Sequence, residues 1–182
     1  MPQWSATPPT PRDHHAFRIL RTPRDKPLLA ICTCHNVVGA PTHYVNNRTM
    51  PCEGPPNCKA CAEGNSWRWH GYLSALKAGS HEHFLFEFTA AASDTFKNYM
   101  AIYGTLRHCK FTASRPSLRP NGRVVIACQH VDEASVRLPD APDIRRILCH
   151  IWGVPFNDTK EEPGHRPPFQ SVKLHPSNRN GN

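Results

Sequence analysis

The sequence predicts a mainly β domain with two helices, framed by proline-rich ends. Three observations predict it: apolar residues alternate with a period of two through most of the centre, proline crowds both ends, and helical spacing appears in only two stretches. Nineteen prolines and ten glycines in 182 residues exclude a helical bundle, because proline removes a helix donor and blocks the preceding turn.

Proline also divides the chain. Residues 1–27 hold six prolines and an excess of basic side chains with few aliphatics, which reads as a flexible basic arm, with an edge strand allowed over Ala16 to Leu20. Residues 154–182 hold five more prolines and end Ser-Asn-Arg-Asn-Gly-Asn, a second flexible tail suited to docking on protein partners. The folded domain is therefore expected over 28–153.

Within it, Leu28 to His35 is a short β-type run, with Thr42 to Val45 continuing it beyond the Gly39-Ala40-Pro41 break. From Trp67 to Leu76, one face collects Trp67, Trp69, Leu73 and Ala75, and the other collects Arg68, His70, Tyr72 and Ser74. Lys77-Ala78-Gly79-Ser80 is a turn, and Glu82 to Ala90 returns with Phe84, Phe86 and Phe88 on one face. Ser93 is a good N-cap for a helix carrying Phe96, Tyr99, Met100, Tyr103 and Leu106 and ending near Arg107. Cys109 to Arg115 and Arg123 to Gln129 are two more strands, joined through Arg119-Pro120-Asn121-Gly122. A last amphipathic helix runs from Pro142 to Trp152, with Asp140 or a neighbour as its cap and Gly153 as its stop. Five strands with a helix between the third and fourth is the order of a five-stranded OB-fold barrel, here with an added C-terminal helix.

The charge balance narrows the function classes. Twenty-two Lys and Arg against fourteen acids give a net +8, which favours an anionic partner. No run of about 20 apolar residues is present to span a bilayer. The N-terminus lacks the apolar stretch of a secretory signal, and no basic amphipathic helix faces a broad apolar side, so a cytoplasmic nucleic-acid binder without membrane contact is expected.

Eight cysteines in a reducing compartment point to metal rather than disulfides. The loop after the first strand contains His43, Cys52, Cys58 and Cys61, spaced H-x8-C-x5-C-x2-C. Two thiolates of a Cys-x2-Cys pair on a tight turn can reach one tetrahedral ion at about 2.3 Å, and two more ligands close the site. Residues 50–61 are nearly devoid of large apolar side chains, so a structural zinc is the physical means by which the loop is ordered. His43 is taken as the fourth ligand and His70 is the alternative, while Cys32, Cys34, Cys109, Cys128 and Cys149 stand in apolar runs and read as small buried hydrophobes. Four strong ligands close the site against catalysis. The chain carries no deaminase H-x-E with P-C-x-x-C, no H-E-x-x-H, no P-loop and no nucleophile elbow, so no enzyme activity is expected.

Between Asp94 and Asp132 the chain has no acid but carries Lys97, Arg107, Lys110, Arg115, Arg119 and Arg123, a one-signed block suited to phosphates. Arg68 and Tyr72 on the second strand, with Trp67 at its start, offer stacking for unpaired bases; Arg48 in the metal loop and Phe111 beside Lys110 complete the candidate contacts.

A histidine followed by three cysteines, the last two as Cys-x2-Cys, inserted after the first strand of an OB-fold, resembles the zinc-containing single-stranded DNA-binding (helix-destabilising) proteins of T-even-type phages. The matching positions are His43, Cys52, Cys58 and Cys61. The resemblance implies an OB fold, a structural zinc and single-stranded nucleic acid as ligand, over about residues 28–130. That family carries an acidic C-terminal tail, whereas residues 154–182 here hold Lys160, Arg166, Lys173 and Arg179 against Asp158, Glu161 and Glu162. The function expected is non-catalytic binding of single-stranded nucleic acid, DNA in preference to RNA. The alternative is a nucleic-acid-gripping subunit of a larger transposition, recombination or RNA-guided complex. A metal-dependent nuclease is a remote third, since Glu82, Glu87, Asp94, Asp132 and Glu133 form no recognisable magnesium pair.

Overall fold

The computed structural model describes residues 17–46, 48–80, 82–117 and 123–156. It is mainly β with a few helices, an open mixed sheet of eight strands. In chain order these are β1 (Ile19–Leu20), β2 (Leu28–Cys32), β3 (Val38–Val45), β4 (Arg48–Pro51), β5 (Arg68–Lys77), β6 (His83–Thr89), β7 (Cys109–Ser114) and β8 (Val125–His130). The helices are α1 (Lys59–Ala62), α2 (Ala90–Tyr103) and α3 (Ile144–Trp152). No helix among the described residues is long and apolar enough to cross a membrane.

The sheet runs β1-β6-β5-β2-β7-β8, with β3 paired to β5 and β4 to β3. β2 lies at its centre, antiparallel to β5 through Ala30 opposite Lys77 and to β7 through Leu28 opposite Ala113. β3 pairs with β5 from Val38 opposite Tyr72 to Thr42 opposite Arg68, then turns back as β4. The single first strand expected from the sequence is thus two strands at different places, and a third follows. The edge strand allowed for near residue 20 forms as β1, parallel to β6 with Ile19 opposite Leu85.

Phenylalanine builds the core. Phe84, Phe86 and Phe88 share one buried face of β6, and Phe86 and Phe88 pack on Phe96 of α2 and Phe111 of β7, with Phe86–Phe111 and Phe88–Phe96 ring centroids both 5.0 Å apart. Burial of each such ring stabilises the fold by about 1.5–3 kcal/mol relative to exposure. Trp69 lies across β3: a Cβ on Gly39 would come within 2.5 Å of its indole.

The alternation along β5 holds, but its second face is not solvent-exposed. Tyr72 and Ser74 are fully buried: the indole of Trp152 on α3 packs edge-on against Tyr72 at 5.7 Å, and the Ser74 hydroxyl shares a 2.7 Å hydrogen bond with that of Thr33. Polar residues placed that face outside by pattern, yet α3 covers it.

Both helix starts differ from expectation. Thr89, in extended conformation, is the N-cap of α2; Ser93 lies within the first turns, and its hydroxyl donates to the Ala90 carbonyl at 2.7 Å. α2 ends at Gly104 in the left-handed region, three residues before Arg107. α3 is capped by Asp143, whose side chain accepts from the Arg146 amide at 3.1 Å, so the cap is Asp143 and not Asp140. Gly153 stops it as expected.

Candidate metal centre

β3 and β4 form a hairpin whose strands place His43 opposite Met50. The chain leaves β4 at Pro51, and the Cys52 amide donates to the Pro41 carbonyl at 2.9 Å, which holds Cys52 beside the hairpin. Cys58 then caps α1 and Cys61 lies within it, so the Cys-x2-Cys spacing is realised on a single helical turn. Together the ligand atoms of His43, Cys52, Cys58 and Cys61 all lie within 4.8 Å of one another.

The separations suit one ion. His43 Nε2 is 3.4 Å from the sulfurs of both Cys58 and Cys61, and the sulfurs of Cys52 and Cys61 are 3.5 Å apart. A tetrahedron with metal–sulfur bonds of about 2.3 Å has ligand–ligand edges of about 3.5–3.8 Å. His43 Nδ1 lies 3.3 Å from the Ser66 carbonyl; donation there leaves Nε2 with its lone pair toward the sulfurs, the usual way a protein orients a ligating imidazole. His43 and Cys58 are buried, and Cys52 and Cys61 are half-buried. Backbone amides, that of Cys61 foremost, hold the Cys58 thiol down at about 6, whereas desolvation and the neighbouring sulfurs push Cys61 up to about 12. A cluster of thiols this close favours a cation that removes all three protons at once.

The competing histidine is used elsewhere. His70 Nδ1 shares a hydrogen bond of 2.6 Å with the Thr42 hydroxyl, on the strand face opposite His43. Desolvation lowers its pKa below the usual histidine value. The group that could hold a metal ion is therefore His43 with the three cysteines. Cys32, Cys34 and Cys109 are buried in the core, and Cys128 and Cys149 are half-buried.

The residues expected to contact nucleic acid separate into two groups. Arg48 on β4, Arg68 at the start of β5 and Trp67 just before it are exposed, Trp67 immediately after the Ser66 whose carbonyl meets His43. Arg123 is exposed at the entry to β8, and Lys110 is half-buried on β7. Four others are committed to the fold. Tyr72 and Phe111 are fully buried and cannot stack on a base, a correction that follows from α3 covering one and the phenylalanine cluster enclosing the other. Arg107 spends both terminal nitrogens on backbone carbonyls, of Thr33 at 2.6 Å and Leu138 at 3.2 Å, and Arg115 Nε donates to the Thr22 carbonyl at 3.2 Å. Lys97 stays exposed on α2, where it pairs with Asp94 at 3.2 Å. Arg119 lies outside the described residues.

Two features had no sequence signal. Tyr44 on β3 is 59% exposed, with the Arg21 guanidinium 5.5 Å from its ring centre. Glu87, buried on β6, accepts from Arg21, Tyr72 and Thr49 together and so joins the N-terminal segment, the central sheet and the metal hairpin.

Compared with known proteins, the chain matches no family model, no curated protein and no solved structure.

Proposed function

We propose that this chain is a non-catalytic single-stranded nucleic-acid-binding domain, with DNA as the favoured ligand, built on an OB-type barrel and held by a structural zinc. The observation that carries the reading is that the exposed Arg48 and Arg68 sit on β4 and β5, the two strands that pair with the His43-bearing β3, with the exposed Trp67 next to Arg68. Zinc, when bound, supplies four directional bonds in place of a hydrophobic core and performs no reaction there. The chain's own residues do the rest. His43 and Cys52 tie the hairpin to α1, Trp67 stands exposed for a base to stack on, and the guanidinium groups of Arg48 and Arg68 neutralise phosphates.

The strand order supports the OB reading. β6-β5-β2-β7-β8, with α2 between β6 and β7, is the sequence of neighbours round such a barrel, opened between its third and fifth strands.

A binding comparison of single-stranded DNA, duplex DNA and single-stranded RNA across a salt series, with zinc measured on the same sample, tests the proposal. Trp67→Ala should weaken single-strand binding about tenfold, and Arg48→Ala and Arg68→Ala should each lower the salt slope by about one. Equal binding to duplex and single strand, or three variants indistinguishable from the parent, would sink it.

A further inference from the structure

β8 ends the sheet, and among the described residues no strand pairs with its outer edge. The opposite end is treated differently, since β1 is a two-residue strand too short to template further pairing. β8 has none of the usual protection: Val-Ile-Ala-Cys-Gln-His contains no proline, lysine or acid, and four of its six residues are exposed, Val125 by 43%.

The direction of its free groups follows from one bond. The Val131 amide donates to the His108 carbonyl at 3.2 Å, continuing the register that sets Cys109 opposite His130. Hydrogen-bonded and non-hydrogen-bonded pairs alternate along an antiparallel ladder, so Val125, Ala127 and Gln129 bond inward to β7. Ile126, Cys128 and His130 therefore aim their N–H and C=O groups away from the sheet.

We infer that this edge is a self-association surface, on which β8 of a second copy of the chain pairs antiparallel about a two-fold axis at Cys128. That axis engages all three outward-facing residues: Cys128 meets its own equivalent and Ile126 meets the partner's His130. Val125 then lies opposite the partner's Val131 on the outer face, an apolar contact made twice by symmetry. Charge complementarity selects a second copy over an unrelated strand. Arg123, exposed at the start of β8, comes to the end where the partner's Asp132 and Glu133 leave the strand, and both acids are exposed. A parallel partner would bring Arg123 beside Arg123 instead. The inference is independent of nucleic-acid binding.

Sedimentation of the nucleic-acid-free full chain from about 1 μM to about 500 μM, the range suited to a small interface, reads the association directly. The expected result is a concentration-dependent shift from the mass of one chain to two. R123E and E133R should each raise the dissociation constant about tenfold, and the doubly swapped R123E/E133R chain should return to near the parent value. Hydrogen exchange supplies a second readout, in which the Ile126, Cys128 and His130 amides slow as concentration rises while those of Ala127 and Gln129 are slow throughout. A chain that stays single at every concentration overturns the inference, as does a dimer indifferent to the charge swaps. Protection of Ile126, Cys128 and His130 in the dilute single chain overturns it too, because the edge is then filled within one molecule.

Discussion

Arg21 and Glu87, separated by 66 positions in sequence, form an ion pair in which the guanidinium Nε donates to a carboxylate that is almost fully buried. The same carboxylate accepts from the Tyr72 hydroxyl at 3.1 Å and from Thr49 of the metal hairpin. Glu87→Ala would leave the Tyr72 hydroxyl without its acceptor and Arg21 without its counter-charge. Since the Arg21 side chain is 44% exposed, the expected loss is about 2–3 kcal/mol, below that of a fully buried pair. Denaturant unfolding measures it, and limited proteolysis should show faster cleavage at Arg24 and Lys26. A loss under about 0.5 kcal/mol would mean the pair is ornamental.

Metal removal should act on the hairpin before the core. Purified chain is expected to carry one zinc, and a strong chelator should lower the melting temperature and speed amide exchange over residues 42–66. Cys58→Ser should do the same without chelator, since Cys58 is the buried thiol of the cluster. Zinc-free protein with an unchanged melting curve would refute the assignment.

Tyr72 and Trp67 should separate stability from binding. Tyr72→Phe deletes the hydroxyl bonded to Glu87 and is expected to cost about 1–2 kcal/mol with unchanged oligonucleotide affinity. Trp67, 47% exposed, should show the converse on replacement by Ala, weakened binding at near-constant stability. Equal effects of the two on affinity would contradict the burial pattern.

Acid should destabilise the fold through His83. Burial pushes its pKa below the ordinary 6.5, and its Nε2 lies 2.8 Å from the Thr33 hydroxyl. The unfolded chain therefore takes up this proton at a higher pH than the folded chain. The stabilisation is fully present above about pH 6.5 and is lost as pH falls toward the folded value. Melting temperature should drop by a few degrees between pH 7.5 and 5.5. His83→Gln should flatten that decline, and an identical decline in the variant would assign it to other groups.

The last four strands and the cysteines of the candidate metal site were legible in the sequence because each rests on local spacing. Alternation located β5, β6, β7 and β8 within a residue or two, and Cys-x2-Cys located Cys58 and Cys61. The choice of His43 over His70 was not legible, since it depends on which face of β3 and β5 each histidine occupies once the two strands pair. Tyr72, Arg107 and Arg115 were misread for a related reason. Their partners Trp152, Leu138 and Thr22 lie 80, 31 and 93 positions away, and no local pattern announces them. Helix starts failed on a finer scale, as Ser93 bonds back to Ala90 inside α2 and leaves Thr89 to begin it.

The indole of Trp69 resting on Gly39 has a bearing on His43, four residues farther along β3. Sliding β3 by one position against β5 would put Val38 or Ala40 under that ring, where a Cβ has no room. The same slip would exchange the two faces of the strand and present Thr42 or Tyr44 to the cysteines in place of the imidazole. A missing methyl thus acts as a ruler, and the aim of the metal ligand is set by the one residue type that contributes no side chain at all.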